Sequence, residues 1–206
     1  MDISGVILVG GENSRFEGLP KGALKWDGST MFERVHSSLN SILDSVYVSV
    51  HDEVPPGIPE DLPVIRDRFG SIRGPMNGVY SSLNQIEQPV LVVTWDMPGL
   101  NALFLKELLE RWQDRAGGTV AMYLEYNDQE YPFPGIFSSE ALESFEESLK
   151  QEKWGMIQWL EAHQTEAVDP GEYVDEEEAG SLLMNINQPQ QIQDMIQRLE
   201  GFKRDP

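Results

Sequence analysis

The run Pro89-Val90-Leu91-Val92-Val93-Thr94 offers no polar face. A strand with one side in water alternates apolar and polar side chains, so a run without alternation has to be covered on both faces. A second such run, Ile3-Ser4-Gly5-Val6-Ile7-Leu8-Val9, ends in Gly10-Gly11, and residues 45–50 (SVYVSV) are β-branched and aromatic. Between these runs the spacing turns helical. In residues 30–43, Met31, Phe32, Val35, Leu39, Ile42 and Leu43 share one face, and Thr30 with Glu33 forms a capping box. A short strand is expected at 63–66, Gly74-Pro75 opens a helix reaching about Ile86, and Asn101 caps a helix over 101–115. Strands alternating with helices specify βαβ units, hence an α/β chain whose helices cover both faces of a mostly parallel sheet.

The second half reads less sharply. Strand-like runs are expected at 118–124 and 131–137, helices at 138–150 and 154–162, and a last helix near 188–200. The proline-rich stretch 52–63 and the acidic stretch 169–180, with its run Asp175-Glu176-Glu177-Glu178, are expected to be loops. With 206 residues, no internal repeat and no dividing linker, one domain over 1–206 is expected.

Charge excludes some partners. The formal net charge is −20, and both nucleic acid and anionic membranes demand a basic surface. Seven of the 15 Lys and Arg residues fall within residues 1–75, leaving the basic side chains relatively concentrated there. There is no cysteine, no run long enough to cross a membrane and no basic, apolar leader at Met1-Asp2-Ile3-Ser4, so a cytoplasmic protein is expected.

In open α/β sheets ligands bind beyond the carboxyl ends of the strands, and three candidate groups fall there. Gly10-Gly11 lets backbone amides approach an anion, with Arg15 and Lys21 able to neutralise phosphate; the same residues can equally form a tight turn. Asp96, just past the run 89–94 and steadied by Pro98, offers a carboxylate for a hard cation such as Mg²⁺, or a cap for the following turn. Asp67 follows the strand at 63–66 and could face the same cleft, or be an exposed loop acid. His36, His51 and His163 share no spacing for a metal and read as solvated or capping, while Trp154 and Trp159 read as core or pocket wall.

In order and spacing these groups resemble the molybdenum cofactor guanylyltransferase family. The resemblance rests on Leu8-Val9-Gly10-Gly11 followed by Arg15 and Lys21, on Asp67 before Gly74-Pro75-Met76-Asn77-Gly78, and on Asp96-Met97-Pro98. It continues through the proline-containing strand Tyr131–Phe137 to Asn185-Ile186-Asn187-Gln188-Pro189. The sequence departs from the family pattern at Phe16, Glu17, Pro20, Trp95 and Met76-Asn77, and Ser49 stands where a polar residue, often Asn, closes the second strand.

The resemblance implies a Rossmann-like nucleotidyltransferase fold, Mg²⁺ as cofactor, and transfer of GMP from GTP to the phosphate of molybdopterin with release of pyrophosphate. It implies that Arg15, Lys21 and Asp96 are catalytic, and that Asp96 and Asp67 hold the metal. Leu8, Val9, Gly10, Gly11, Arg15, Lys21, Ser49, Asp67 and Asp96 would bind GTP, and Gly74, Pro75, Gly78, Asn185 and Asn187 the acceptor. The N-terminal half would then bind nucleotide and the C-terminal half acceptor, and molybdoenzyme chaperones or other cofactor-biosynthesis proteins would be partners. Gly10-Gly11 favours guanine over cytosine in this superfamily. A cytidylyl- or sugar-phosphate nucleotidyltransferase of the same fold, and a nucleotide-binding homologue without catalysis, remain as alternatives.

Overall fold

A computed structural model describes residues 2–10, 24–26 and 28–186. The apolar runs become strands β1 (Ser4–Val9), β4 (Val46–Val50), β5 (Val64–Arg66) and β6 (Val90–Thr94). They lie parallel in the spatial order β5-β4-β1-β6. Their alternate side chains divide the core as the lack of a polar face requires. Ile7, Val9, Leu91 and Val93 point into one apolar layer, and Val6, Leu8, Val90 and Val92 into the other.

Helices fill both layers. Helix α1 (Met31–Asn40) and helix α3 (Ala102–Gln113) cover the first face with Phe32, Val35, Leu39, Phe104, Leu105 and Leu108. Helix α2 (Pro75–Ile86) covers the second with Met76, Val79 and Leu83. The expected caps are present. Thr30 Oγ1 accepts from Glu33 N at 3.1 Å while Thr30 N donates to Glu33 Oε2 at 2.6 Å, and Asn101 Oδ1 accepts from Phe104 N at 2.9 Å. Each such cap contributes about 1 kcal/mol. A two-stranded ribbon, β2 (Lys25–Trp26) and β3 (Ser29–Thr30), leads into α1.

Beyond β6 the sheet changes sense. Strands β7 (Ala121–Tyr126) and β8 (Gln129–Phe137) form a hairpin. The two residues of its turn, Asn127 and Asp128, have φ of 52° and 61°, as a type I′ turn requires. Strand β8 is antiparallel to both β6 and β7. Strand β9 (Thr165–Val168), absent from the sequence reading, pairs parallel with β7 and completes a seven-stranded sheet.

The helices expected at 138–150 and 154–162 appear as a 3₁₀ turn followed by α4 (Leu142–Lys150) and as α5 (Met156–Ala162). Trp159 is buried between the Phe145 ring, 4.0 Å away, and His163, 4.4 Å away, while Trp154 is half exposed. The acidic stretch is not a plain loop. Asp175 caps helix α6 (Glu176–Leu182), accepting from Glu178 N at 2.9 Å. Its three glutamates occupy the first turn, where the helix dipole favours negative charge, and Ala179 and Leu182 turn inward. The helix expected near 188–200 lies outside the described residues.

Candidate active site at the carboxyl ends of the strands

The chain leaves β1 toward β4 and β5, then crosses back over β1 to reach β6. That reversal opens a crevice at the carboxyl ends of β1 and β6, where Gly10 and Asp96 stand. Among the described residues, a β-carbon built at Gly10 would meet nothing within 4 Å. Leu8 and Val9 bury their side chains in opposite core layers, leaving only backbone to reach a ligand. Gly11, Arg15, Lys21 and Asn187 lie outside the described residues, as do Phe16, Glu17 and Pro20.

At β6 the ladder runs one residue past the strand, with Trp95 N donating to Leu8 O at 3.3 Å. Trp95 is buried beneath the site, and the Thr94 hydroxyl is buried with no hydrogen-bond partner among the described residues. Asp96 follows at the crevice. Its carbonyl accepts from Ile186 N at 2.9 Å, which fastens the segment after α6 to the Asp96 turn and sets Asn185, exposed, beside it. Gly99 makes that approach possible, because a β-carbon there would run into the Ser181 carbonyl. The structure thus joins Asp96-Met97-Pro98 to Asn185, 89 residues on in sequence.

At β5 the arrangement differs from expectation. Asp67 N donates to Val50 O at 3.0 Å, and the Asp67 side chain is 5% exposed, so it is no surface loop acid. Burial raises its pKa, and the hydrogen bond and charge of His51 only partly oppose this. Asp67 Oδ2 stands 2.9 Å from His51 Nδ1. A β-carbon at Gly78 would lie 2.9 Å from Leu8 Cδ2, 3.1 Å from Ser49 Oγ and 3.8 Å from Asp67 Oδ1. Leu8, Ser49, Asp67 and Gly78 therefore converge where the first turn of α2 meets the strand ends.

Two residues were not singled out by sequence. His51, read as solvated or capping, is the partner of Asp67. Asn77, one of the departures from the family pattern, is wholly buried and holds the loop after Asp67 to α2. Its Nδ2 donates to Phe69 O and to Ile72 O, both at 2.8 Å, and Ser81 Oγ accepts from Arg68 N at 2.9 Å. Outside that loop, Arg73 pairs with Asp52 at 2.6 Å. His51 could have been found only by pairing β4 with β5. Asn77 had a visible signal, a buried amide on the apolar face of a helix.

Two expected groupings are set apart by the sheet. Asp67 and Asp96 follow strands that lie three places apart. At ~4.8 Å per place that is roughly 14 Å, whereas two ligands of one Mg²⁺ lie within about 4 Å of each other. Gly78, expected with the acceptor residues, stands beside Ser49 and Asp67, and Gly74 and Pro75 precede it at the start of α2. The donor chemistry at Asp96 still fits Mg²⁺, which takes one or two carboxylates and completes its shell with substrate phosphates and water. Among the described residues no group of three or more His, Cys, Asp or Glu could hold a metal ion. Nor is any described helix long and apolar enough to cross a membrane.

Residues 5–167 match the MobA-like NTP transferase domain. The chain belongs to that family. As a MobA-like NTP transferase it is a nucleotidyltransferase. A probable molybdenum cofactor guanylyltransferase of Bacillus cereus is 28% identical over 161 residues, covering 76% of this chain and 78% of the relative. One from Bacillus cytotoxicus is 24% identical over 162 residues, covering 77% and 79%. The crystal structure of molybdopterin-guanine dinucleotide biosynthesis protein A from Archaeoglobus fulgidus superposes with a TM-score of 0.78 at 17% identity, covering 96% of this chain and 99% of that one. That likeness establishes a common fold.

Proposed function

We propose that this MobA-like transferase moves GMP from GTP to the terminal phosphate of molybdopterin. A phosphate monoester oxygen of the acceptor attacks the α-phosphorus, the bond to the β-phosphate breaks, and pyrophosphate leaves with the electron pair. Because both reactants are anionic, catalysis consists of positioning and charge neutralisation, and no protein nucleophile is needed. Asp96 would hold Mg²⁺, which supplies Lewis-acid charge compensation on phosphate oxygens. Gly10, Gly11, Arg15 and Lys21 hold the triphosphate by backbone amides and charge. Ser49, Asp67 and Gly78 lie toward the nucleoside, and Asn185 and Asn187 toward the acceptor. The protein acts as one domain, in a soluble cytoplasmic setting, alongside other proteins of cofactor synthesis.

The observation that supports this reading is the bond from Ile186 N to the main-chain carbonyl of Asp96, which brings the segment carrying Asn185 to the Asp96 turn at the strand crevice. The test supplies molybdopterin, Mg²⁺ and each of GTP, ATP and CTP, and follows pyrophosphate release with mass detection of the dinucleotide. GTP is expected to give the guanine dinucleotide fastest. A faster reaction with CTP would overturn the base assignment, and no dinucleotide with any NTP would overturn the reaction.

A further inference from the structure

Asp67 has two carboxylate oxygens with different surroundings. Oδ2 stands 2.9 Å from His51 Nδ1, and Oδ1 is the one beside Gly78 and Ser49. The pair is held from both sides of the β4–β5 seam. His51 directly follows β4 and Asp67 directly follows β5, and Asp67 N is bonded to Val50 O, the residue before His51. Both side chains are largely shielded, His51 14% exposed and Asp67 5%. The loop leaving Asp67 is tied to α2 through Asn77 and Ser81. On the outer side, His51 Nε2 lies 3.7 Å from Asp52 Oδ1, and Asp52 in turn pairs with Arg73. Donation from Nδ1 to Asp67 fixes the ring's tautomer and direction. It also removes one oxygen and the carboxylate's rotational freedom from ligand binding.

We infer that His51 is a positioning residue for the nucleotide: it holds Asp67 Oδ2 so that Oδ1 alone is presented, as a fixed acceptor, to hydrogen-bond donors on the nucleoside. The inference rests on the assignment of this end of the cleft to the nucleoside. The geometry favours that end because Asp67 lies about two strand places, roughly 10 Å, from Gly10, too far for the same phosphate group. It is close enough for the sugar and base carried by that phosphate. No proton transfer is required of His51. A preset acceptor raises affinity by lowering the ordering cost of binding.

The test compares GTP with inorganic tripolyphosphate, each with Mg²⁺, by calorimetry on the full chain. His51→Phe keeps a flat ring but removes the donor, and His51→Asn keeps a donor near the position of Nδ1. His51→Phe is expected to weaken GTP binding about tenfold or more, the worth of one hydrogen bond to a charged group. Tripolyphosphate, which has no nucleoside, is expected to bind within about twofold of the parent protein and so reports that the fold is intact. His51→Asn is expected to recover most of the lost GTP affinity. Unchanged GTP affinity in His51→Phe, equal weakening of both ligands, or no recovery in His51→Asn would each overturn the inference while leaving the proposed reaction standing. A parent protein binding GTP no better than tripolyphosphate would overturn the nucleoside assignment itself, and the role of His51 with it.

Discussion

Replacing Gly99 by alanine tests whether the acceptor segment is anchored to the metal-side turn. The new β-carbon would collide with the Ser181 carbonyl oxygen and stand 2.8 Å from the Ser181 carbonyl carbon. Carbon atoms in contact prefer about 3.5–4.0 Å, so the backbone of α6 must retreat by about an ångström. Ser181 is itself buried and its chain neighbours Leu182 and Leu183 are core residues, so the shift cannot be absorbed at the surface. Overpacking of this kind costs about 1–3 kcal/mol. Displacing the segment also strains the 2.9 Å bond from Ile186 N to Asp96 O, worth about 0.5–1.5 kcal/mol. The sum is a loss of roughly 2–4 kcal/mol, measured as a lower urea midpoint at unchanged m. Hydrogen exchange at the Ile186 amide should accelerate, and the KM for the acceptor should rise while GTP affinity holds. A stability change under about 0.5 kcal/mol, the range of an inconsequential surface change, would refute the close packing on which this rests.

Asp96→Asn keeps the shape of the turn but removes a negative charge, so Mg²⁺-dependent turnover should fall by orders of magnitude while the thermal transition is retained; near-normal turnover would contradict Asp96 as the metal residue. Asn77→Ala leaves the carbonyls of Phe69 and Ile72 without their donor and should cost roughly 2–4 kcal/mol in urea unfolding, with weaker nucleotide binding as the Asp67 loop loosens. For Asp67, burial raises the folded pKa above the ordinary carboxylate value, so the protein holds this proton more tightly when folded. The resulting stabilisation is complete below the unfolded pKa and is lost as pH rises through the higher folded one. Asp67→Asn should therefore gain stability relative to the parent as pH rises from below the ordinary carboxylate pKa to above it, and a flat difference across that rise would show that Asp67 is not desolvated.

The strands that position the site could be read because they lack a polar face, and the starts of α1, α2 and α3 because Thr30, Gly74-Pro75 and Asn101 act locally. What escaped depended on contacts between distant residues. Thr165–Val168 has neither alternation nor an apolar run; it becomes a strand by pairing with β7, and Glu166 meets Arg111 of α3. The acids at 175–178 look solvated until they are placed at the start of a helix, where their charge is an asset. His51 and Asp67 are 16 residues apart, a spacing that carries no chemical meaning until β4 and β5 lie side by side. Asp96 and Asp67 could each be singled out by sequence, but their separation in the sheet could not, because it is fixed by strand order rather than by distance along the chain.

The reversed strand β8 has a consequence for how the protein is made. The four parallel strands β1, β4, β5 and β6, with α1 and α2, are complete once residue 94 has been synthesised. One of their two outer members is then β6, an apolar strand whose second edge stays bare until residues 129–137 emerge and pair with it. A bare apolar edge recruits other chains. Fragments ending between residues 94 and 129 should accordingly aggregate rather than serve as stand-alone nucleotide binders. The hairpin that carries β8 is thus the nascent chain's protection against self-association as well as the bridge to the second half of the sheet.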